Sequence, residues 1–199
     1  MTFGNNTRTS FSISKRRILD IGCGKSDIVH DYYPDSEVTG IDKKWGWDAL
    51  KGLPPGEWDV LFANHIIEHL HDPDLFLENC KKVMGKNTVL DIGTPNLTAW
   101  FNRALFLFGY VPHSYELSYR KGYGRAFDWN KEEMGGHLRV FTVDALLDML
   151  KDHGFEIIGC VGEKSYFPCN FIIRFVDFLM TKASPKMASM FRVKCRLVS

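Results

Sequence analysis

Residues 17–24 read RILDIGCG, an apolar run that breaks into two glycines flanking Cys23, and eighteen residues past Gly24 the chain reaches Asp42 at the end of EVTGID. This pair narrows the possible folds further than any other feature. A buried strand, a glycine turn opening a helix and a second strand ending in an acid is how a doubly wound sheet holds an adenosine-containing cofactor.

The glycine spacing separates two kinds of cofactor. A dinucleotide site uses GxGxxG so that the backbone can close on a pyrophosphate. This chain reads Gly22-Cys23-Gly24-Lys25-Ser26-Asp27 and lacks the third glycine. Asp20 stands just before the loop, where its charge repels a pyrophosphate but suits an ammonium or sulfonium group. These residues disfavour NAD and favour S-adenosylmethionine, which has no phosphate, a positive sulfur, an amino group and a ribose diol that Asp42 can accept in two hydrogen bonds.

With 199 residues and 45% hydrophobic content, the chain buries one good core and is expected to form a single domain over 1–199. Its 25 basic and 24 acidic side chains leave a formal charge of +1, so no overall field draws it to nucleic acid. Cys23, Cys80, Cys160, Cys169 and Cys195 are odd in number, widely spaced and without a CxxC. That argues against a disulfide framework or structural zinc and points to reduced thiols in a cytoplasmic protein. Residues 1–15 are polar, contain no secretory signal, and read as a loose N-terminal arm.

From Arg17 onward strand and helix signals alternate, the signature of an α/β fold with a parallel sheet. Strands are predicted at 17–21, 37–41, 59–63, 87–92, 155–159 and 191–197, the fourth of them broken by Gly93 and Pro95. A helix over 26–33 is stopped by Pro34, and residues 43–57 leave room only for an abbreviated crossover. Asp72 and Pro73 open a helix that runs to Met84. Thr142 caps another that turns Leu146, Leu147 and Leu150 inward and closes at Gly154. The last strand alternates Phe191, Val193, Cys195 and Leu197 with Arg192, Lys194 and Arg196, which predicts one charged face. The apolar helix over 171–180 carries Arg174 and Asp177 and is too short to span a bilayer.

Taken together, these motifs resemble the class I S-adenosylmethionine-dependent methyltransferases, especially the small subgroup of methionine-biosynthesis W proteins and type 11 and type 23 methyltransferase domains. ILDIGCG looks like the first motif and GID like the ribose-binding acid. WDVLFANHIIEHLHDP is similar to the fourth-strand motif, TVLDIGTPN to the fifth strand, and GGHLRVFTVDALLDMLKDHGFEI to the late segment. The resemblance implies a Rossmann-like, doubly wound, mostly parallel sheet with an antiparallel final strand. It also implies S-adenosyl-L-methionine as cofactor and S-adenosyl-L-homocysteine as product. Residue by residue, it places Asp20, Gly22 and Gly24 at the methionine end, Asp42 at the ribose hydroxyls, Asp48 at the adenine amino group, and Asn64 and His65 along the cofactor, with Cys23 and Lys43 also counted among the cofactor-binding residues. Two departures stand out: the helices that cap the pocket in many relatives are missing, and the final strand, usually interior to the sheet, carries three cations on one face.

Methyl transfer from a sulfonium is an in-line displacement, so alignment matters more than a catalytic signature, and a base helps only if the acceptor must lose a proton. His137 is the candidate acceptor-side base or hydrogen-bond partner, the alternative being that it orders the loop before the helix. His65 and His69 in HIIEH have the i, i+4 spacing of metal ligands, but the motif is not HExxH and no metal is expected. Residues 97–136 form a substrate-cap insert with ten of the 27 aromatics. Most of these rings are assigned to the core, and Arg103, Arg120, Lys121 and Arg125 are available to a carboxylate or phosphate.

Segment 170–199 is expected to supply a helix and the last strand, and with them a peripheral membrane contact or a homodimer contact. The expected function is methyl transfer to a small-molecule acceptor through oxygen or nitrogen. The rival is a non-catalytic subunit that docks to a biosynthetic enzyme, as the association of methionine-biosynthesis W proteins with homoserine acyltransferase implies. A nucleic-acid methyltransferase is disfavoured, because neither a basic field nor an NPPY-type motif is present.

Overall fold

A computed structural model describes residues 15–126, 135–164 and 171–198. Residues 1–14 of the predicted arm, and Phe127, Trp129 and Cys169, lie outside the described residues. Six strands form one sheet: β1 (Arg17–Ile21), β2 (Glu37–Ile41), β3 (Val60–Asn64), β4 (Val89–Pro95), β5 (Phe155–Glu163) and β6 (Met190–Leu197). Their order is β2-β1-β3-β4-β6-β5. The first four strands are mutually parallel, and β6 runs antiparallel between β4 and β5. The mostly parallel sheet with an antiparallel final strand is therefore as expected. Because β2 and β3 lie on opposite sides of β1, a crevice opens at the carboxyl end of β1, where doubly wound sheets bind ligands.

Local chemistry accounts for the departures from the predicted boundaries. Helix α1 (Val29–Tyr32) is a single turn rather than a helix over 26–33. Ser26 Oγ accepts the Ile28 N–H at 3.2 Å, so the turn leaving the glycine loop consumes the expected helix start. Pro34 then forces Tyr33 out of helical backbone, at φ −134° and ψ 70°. Strand β3 runs one residue later than predicted, and just before it the Asp59 carboxylate accepts the Arg17 N–H at 2.8 Å. Strands β4 and β5 both run past their predicted ends, since β6 pairs with each of them: Pro95 still lies opposite Met190, and β5 absorbs a bulge between Ile157 and Gly159. Ladder pairing overrides the breaks signalled by Gly93 and Pro95.

On one face of the sheet lie α2 (Pro73–Val83) and α4 (Val143–Asp152). Asp72 caps the first by accepting the Leu75 N–H at 2.9 Å, and Thr142 caps the second through the Ala145 N–H at 3.1 Å. Phe76, Leu77, Cys80, Leu146 and Leu150 pack here with Leu19, Leu61, Leu90, Ile92, Phe191 and Val193. Each such side chain contributes about 1.5–3 kcal/mol by leaving water.

The opposite face explains the three cations of the last strand. Only Arg192 is drawn fully under cover in this interior strand, while Lys194 and Arg196 keep 41% and 52% of their side chains exposed. Arg192 is only 2% exposed. It donates to Asp91 at 3.0 Å, to Asn64 at 2.6 Å and to Glu163 at 2.5 Å, and its guanidinium lies 3.8 Å from the centre of the Tyr32 ring. Lys194 reaches Asp91 at 3.4 Å and Arg196 reaches Glu156 at 2.8 Å. Cys23, Cys80, Cys160 and Cys195 are free thiols. Two further helices, α3 (Trp100–Leu107) and α5 (Phe171–Ala183), follow β4 and β5 at the carboxyl edge.

Candidate functional site

The glycine loop is strapped to the end of β2. Gly22 N–H donates to Ile41 O at 2.8 Å, and Gly24 N–H donates to the Asp42 carboxylate at 3.0 Å. Both glycines have positive φ, +74° and +56°, and a Cβ on Gly22 would stand 2.8 Å from Ile66 Cδ1. Side chains are therefore excluded where the loop meets the crevice. The second Asp42 oxygen accepts the Lys44 N–H at 2.8 Å. Each carboxylate oxygen keeps one accepting direction, enough for the two hydroxyls of a ribose.

A cavity of 380 Å³ opens here, with Gly22, Asp42, Lys43, Asp48 and His65 among its lining residues. These five predicted residues are brought together from three separate segments. Asp48 uses one oxygen on the Leu50 N–H at 3.0 Å and holds the other 3.8 Å from Lys43 Nζ.

Four predicted residues stand outside the lining. Gly24 acts through its bond to Asp42. Asp20 is 3% exposed at the end of β1, and burial pushes its carboxyl up to about 7. Cys23 donates its thiol to Ile41 O at 3.5 Å; burial first, and then the charges of Asp20 and Asp42, push that thiol up to about 11. It is a bolt between loop and strand rather than a nucleophile. Asn64, expected along the cofactor, is not among the residues lining this cavity, and its carboxamide oxygen accepts from Arg192 at 2.6 Å. His65 occupies the position instead, turned out by a left-handed φ of +53° and by its N–H bond to Gly93 O at 2.9 Å.

HIIEH and GGHLR, far apart in sequence, meet at the edge of this cavity. Leu138 and Arg139 donate their N–H groups to Glu68 O at 2.8 and 3.0 Å. Glu68 is 1% exposed, and its carboxylate contacts His65 Nδ1 and accepts the Thr94 hydroxyl, both at 3.0 Å. Burial alone would raise its pKa, but the His65 hydrogen bond and charge hold it below its ordinary value. The i, i+4 pair does not converge on a common point: His65 turns to Glu68, while His69 Nδ1 lies 3.2 Å from Gly136 O. His137 Nδ1 lies 3.0 Å from Ser114 O, and the His69 and His137 rings are 4.9 Å apart. Burial lowers the pKa of His137, favouring its neutral form.

Glu116, in the insert, escaped the sequence reading. Its carboxylate accepts the N–H groups of Gly135, Gly136 and His137 at 2.8, 2.7 and 3.1 Å, and Arg125 stands 3.7 Å away. Three successive backbone donors on one carboxylate fix the loop that carries His137, so the loop-ordering alternative also has a physical basis. The motif GGH and a nearby acid were visible in the sequence, but their pairing was not.

A second cavity, 740 Å³, lies between α3, residues 108–126 and α5, with Trp100, Leu105, Phe108, Phe171 and Phe175 in its walls. Of the four cations offered to an anionic acceptor, Arg125 alone lines it. Arg103 is engaged with Thr98 O at 2.7 Å. The assignment of most insert rings to the core is overturned, since Phe106, Phe108, Tyr110, Tyr115, Tyr119 and Tyr123 are all exposed. Residues 106–123 run at the surface, so the rings they carry keep one side in solvent. Among the described residues, no helix is long and apolar enough to cross a membrane.

Comparison with known proteins places this geometry. A family model described as a methyltransferase domain matches residues 6–159. A ubiquinone biosynthesis O-methyltransferase of Rhodopseudomonas palustris is 26% identical over 128 residues, covering 54% of this chain and 50% of the relative. This chain thus matches about half the length of that relative. Among solved structures, an S-adenosylmethionine-dependent methyltransferase from Archaeoglobus fulgidus aligns with a TM-score of 0.54 at 18% identity, over 92% of this chain and 86% of that one. The 1,6-didemethyltoxoflavin N1-methyltransferase of Burkholderia thailandensis, solved with S-adenosylhomocysteine, aligns at 0.54 with 12% identity, over 94% and 72%. From its matched span, the chain belongs to the methyltransferase-domain family, and its sheet has the fold of the solved S-adenosylmethionine-dependent methyltransferases.

Proposed function

We propose that this domain transfers the methyl group of S-adenosylmethionine to an apolar, ring-containing small molecule through oxygen or nitrogen. The observation that carries the reading is Asp42, whose carboxylate opens on the 380 Å³ cavity with one accepting direction free on each oxygen. In the proposed complex the ribose diol sits on Asp42, the adenine amino group meets Asp48, and the methionine end runs past Gly22 toward buried Asp20. The acceptor takes the 740 Å³ cavity, whose walls are mainly aromatic and aliphatic and whose Arg125 can meet a polar substituent. His137 serves on the acceptor side as a neutral imidazole, able to hydrogen-bond the nucleophile or take its proton.

The outer face of α5, with Phe171, Ile172 and Phe175 exposed, is the surface for the peripheral contact. Lys186, Lys194 and Arg196 are engaged with Asp144, Asp91 and Glu156, which weakens any attraction to anionic lipid and favours a second copy. Liposome co-sedimentation at low salt separates the two.

The test is calorimetric titration with S-adenosylhomocysteine, alongside Asp42→Ala and an NAD control. Loss of hydrogen bonds to a charged acceptor weakens binding by about 10- to 100-fold. Tight binding lost in the variant supports the reading; no binding to either ligand overturns it and leaves the docking-subunit alternative.

A further inference from the structure

Around the meeting of HIIEH and GGHLR, three side chains are each held by a bond that leaves a lone pair unused. Glu68, His69 and His137 bring one ligating atom apiece to within 4.8 Å of one another. Among the described residues this is the one such group of His, Cys, Asp and Glu side chains. His69 Nδ1 and His137 Nδ1 both face backbone carbonyl oxygens, Gly136 O and Ser114 O. A carbonyl can only accept, so each ring carries its proton on Nδ1 and presents Nε2 as a bare lone pair. Glu68 is oriented from two sides by His65 and the Thr94 hydroxyl. Side chains that bind metal are typically held in this way, each imidazole donating its other N–H to a carbonyl or carboxylate and each carboxylate hydrogen-bonded in turn.

We propose that Glu68, His69 and His137 form a binding site for a divalent transition-metal cation at the rim of the cofactor cavity. Two imidazoles and a carboxylate suit zinc, or iron and its neighbours, better than magnesium or calcium, which prefer oxygen. Bonds of about 2.1 Å require donor atoms about 3.4 Å apart, so the ligating atoms close in by at most about 1.4 Å around the ion. The supporting loop is built to hold them: Glu116 fixes three consecutive N–H groups up to His137, and Glu68 O holds the next two. Three protein ligands leave a position for water or an acceptor oxygen, the arrangement of catalytic rather than structural sites. His69 and His65 line the cofactor cavity, so that position lies at the wall of the cavity where the proposed function puts the cofactor. With the ion present, the task of His137 changes from taking a proton to holding the cation that makes an acceptor hydroxyl acidic. This role rests on the methyl-transfer reading; the binding of the ion does not.

The site differs from the i, i+4 arrangement that HIIEH suggests. His65 supports Glu68 from outside the ligand set, and its place is taken by a histidine 72 positions further along the chain. Among the described residues, no thiol belongs to the group.

The experiment uses untagged protein, titrated with zinc against a chelating dye and with cobalt by visible absorption. His69→Gln, His137→Gln and the surface control His30→Gln are measured in parallel, and S-adenosylhomocysteine binding is measured in every preparation. The expected result is saturable 1:1 binding and a cobalt spectrum without a thiolate charge-transfer band. Affinity should fall by more than about 10-fold in His69→Gln and His137→Gln, a loss that even outer-shell changes produce, and stay unchanged in His30→Gln. A circular-dichroism spectrum and thermal unfolding matching those of the parent would show that the weakened variants are folded. Absence of saturable binding, equal affinity in all variants, or a thiolate band would overturn the site. Failure of S-adenosylhomocysteine to bind any preparation that still binds zinc would overturn the methyl-transfer reading and leave the metal site standing.

Discussion

On one face of the sheet Leu61, Leu90, Ile92 and Phe191 meet Phe76, Cys80, Leu146 and Leu150 from α2 and α4. On the other, Ile18, Val60 and Phe62 share space with Tyr33 and with Arg192, which is bonded to Asp91, Glu163 and Asn64. One helical turn, α1, stands on this second side where the first has two full helices. Apolar burial is non-directional and scales with area; a buried charge network is directional, and each member becomes a liability once its partner is gone. Where little helix is available to cover it, the sheet is closed by a cation that reaches across β3, β4 and β5 and stacks on Tyr32.

The comparison breaks most directly at Arg192. Arg192→Met leaves Asp91 buried without its guanidinium partner and is expected to cost about 3–5 kcal/mol in urea unfolding. Adding Asp91→Asn should recover part of that loss. A cost below about 1 kcal/mol would mean that the second face is held by its apolar residues after all. Next in size, Leu146→Ala opens a cavity under α4 and should cost about 3 kcal/mol, with no rescue from a charge change elsewhere.

Asp20 sharpens the comparison through pH. Its carboxyl is pushed up to about 7 by burial, against about 4 in an unfolded chain. The folded state keeps a proton that the unfolded state releases, so stability falls as pH rises from about 4 to about 7 and then levels off. Between about pH 5 and 7 the decline should be about 2 kcal/mol and should vanish in Asp20→Asn, as followed by denaturation at the two pH values. Parallel declines in both proteins would show that Asp20 is already ionised. The smallest effect is at Thr142→Ala, where loss of the cap on Ala145 should cost about 1 kcal/mol without touching the second face.

Much of the cofactor side was legible because its residues are close in sequence. β1 and β2 fall at their predicted bounds, because a strand, a glycine turn and an acid at the next strand end are short-range signals, and Gly22, Asp42, Lys43 and Asp48 line one cavity. The partner of Asn64 was not legible, because alternation along β3 tells which residues share a face but not what the neighbouring strand brings to that face. Arg192, 128 positions away, is that partner. The insert misled in a different way: dense aromatics predict a core only when something lies on both sides of the rings, and Phe108 and Tyr119 have none.

Periodicity, caps and the glycine loop were enough to establish the α/β class and the strands, since each depends on backbone preferences and apolar spacing within a few residues. The burial of Arg192, the clamp of Glu116 on the His137 loop and the convergence of Glu68, His69 and His137 depend on which strands and loops become neighbours. That is set by how the whole sheet closes, and contacts spanning scores of residues leave no periodic trace in the chain.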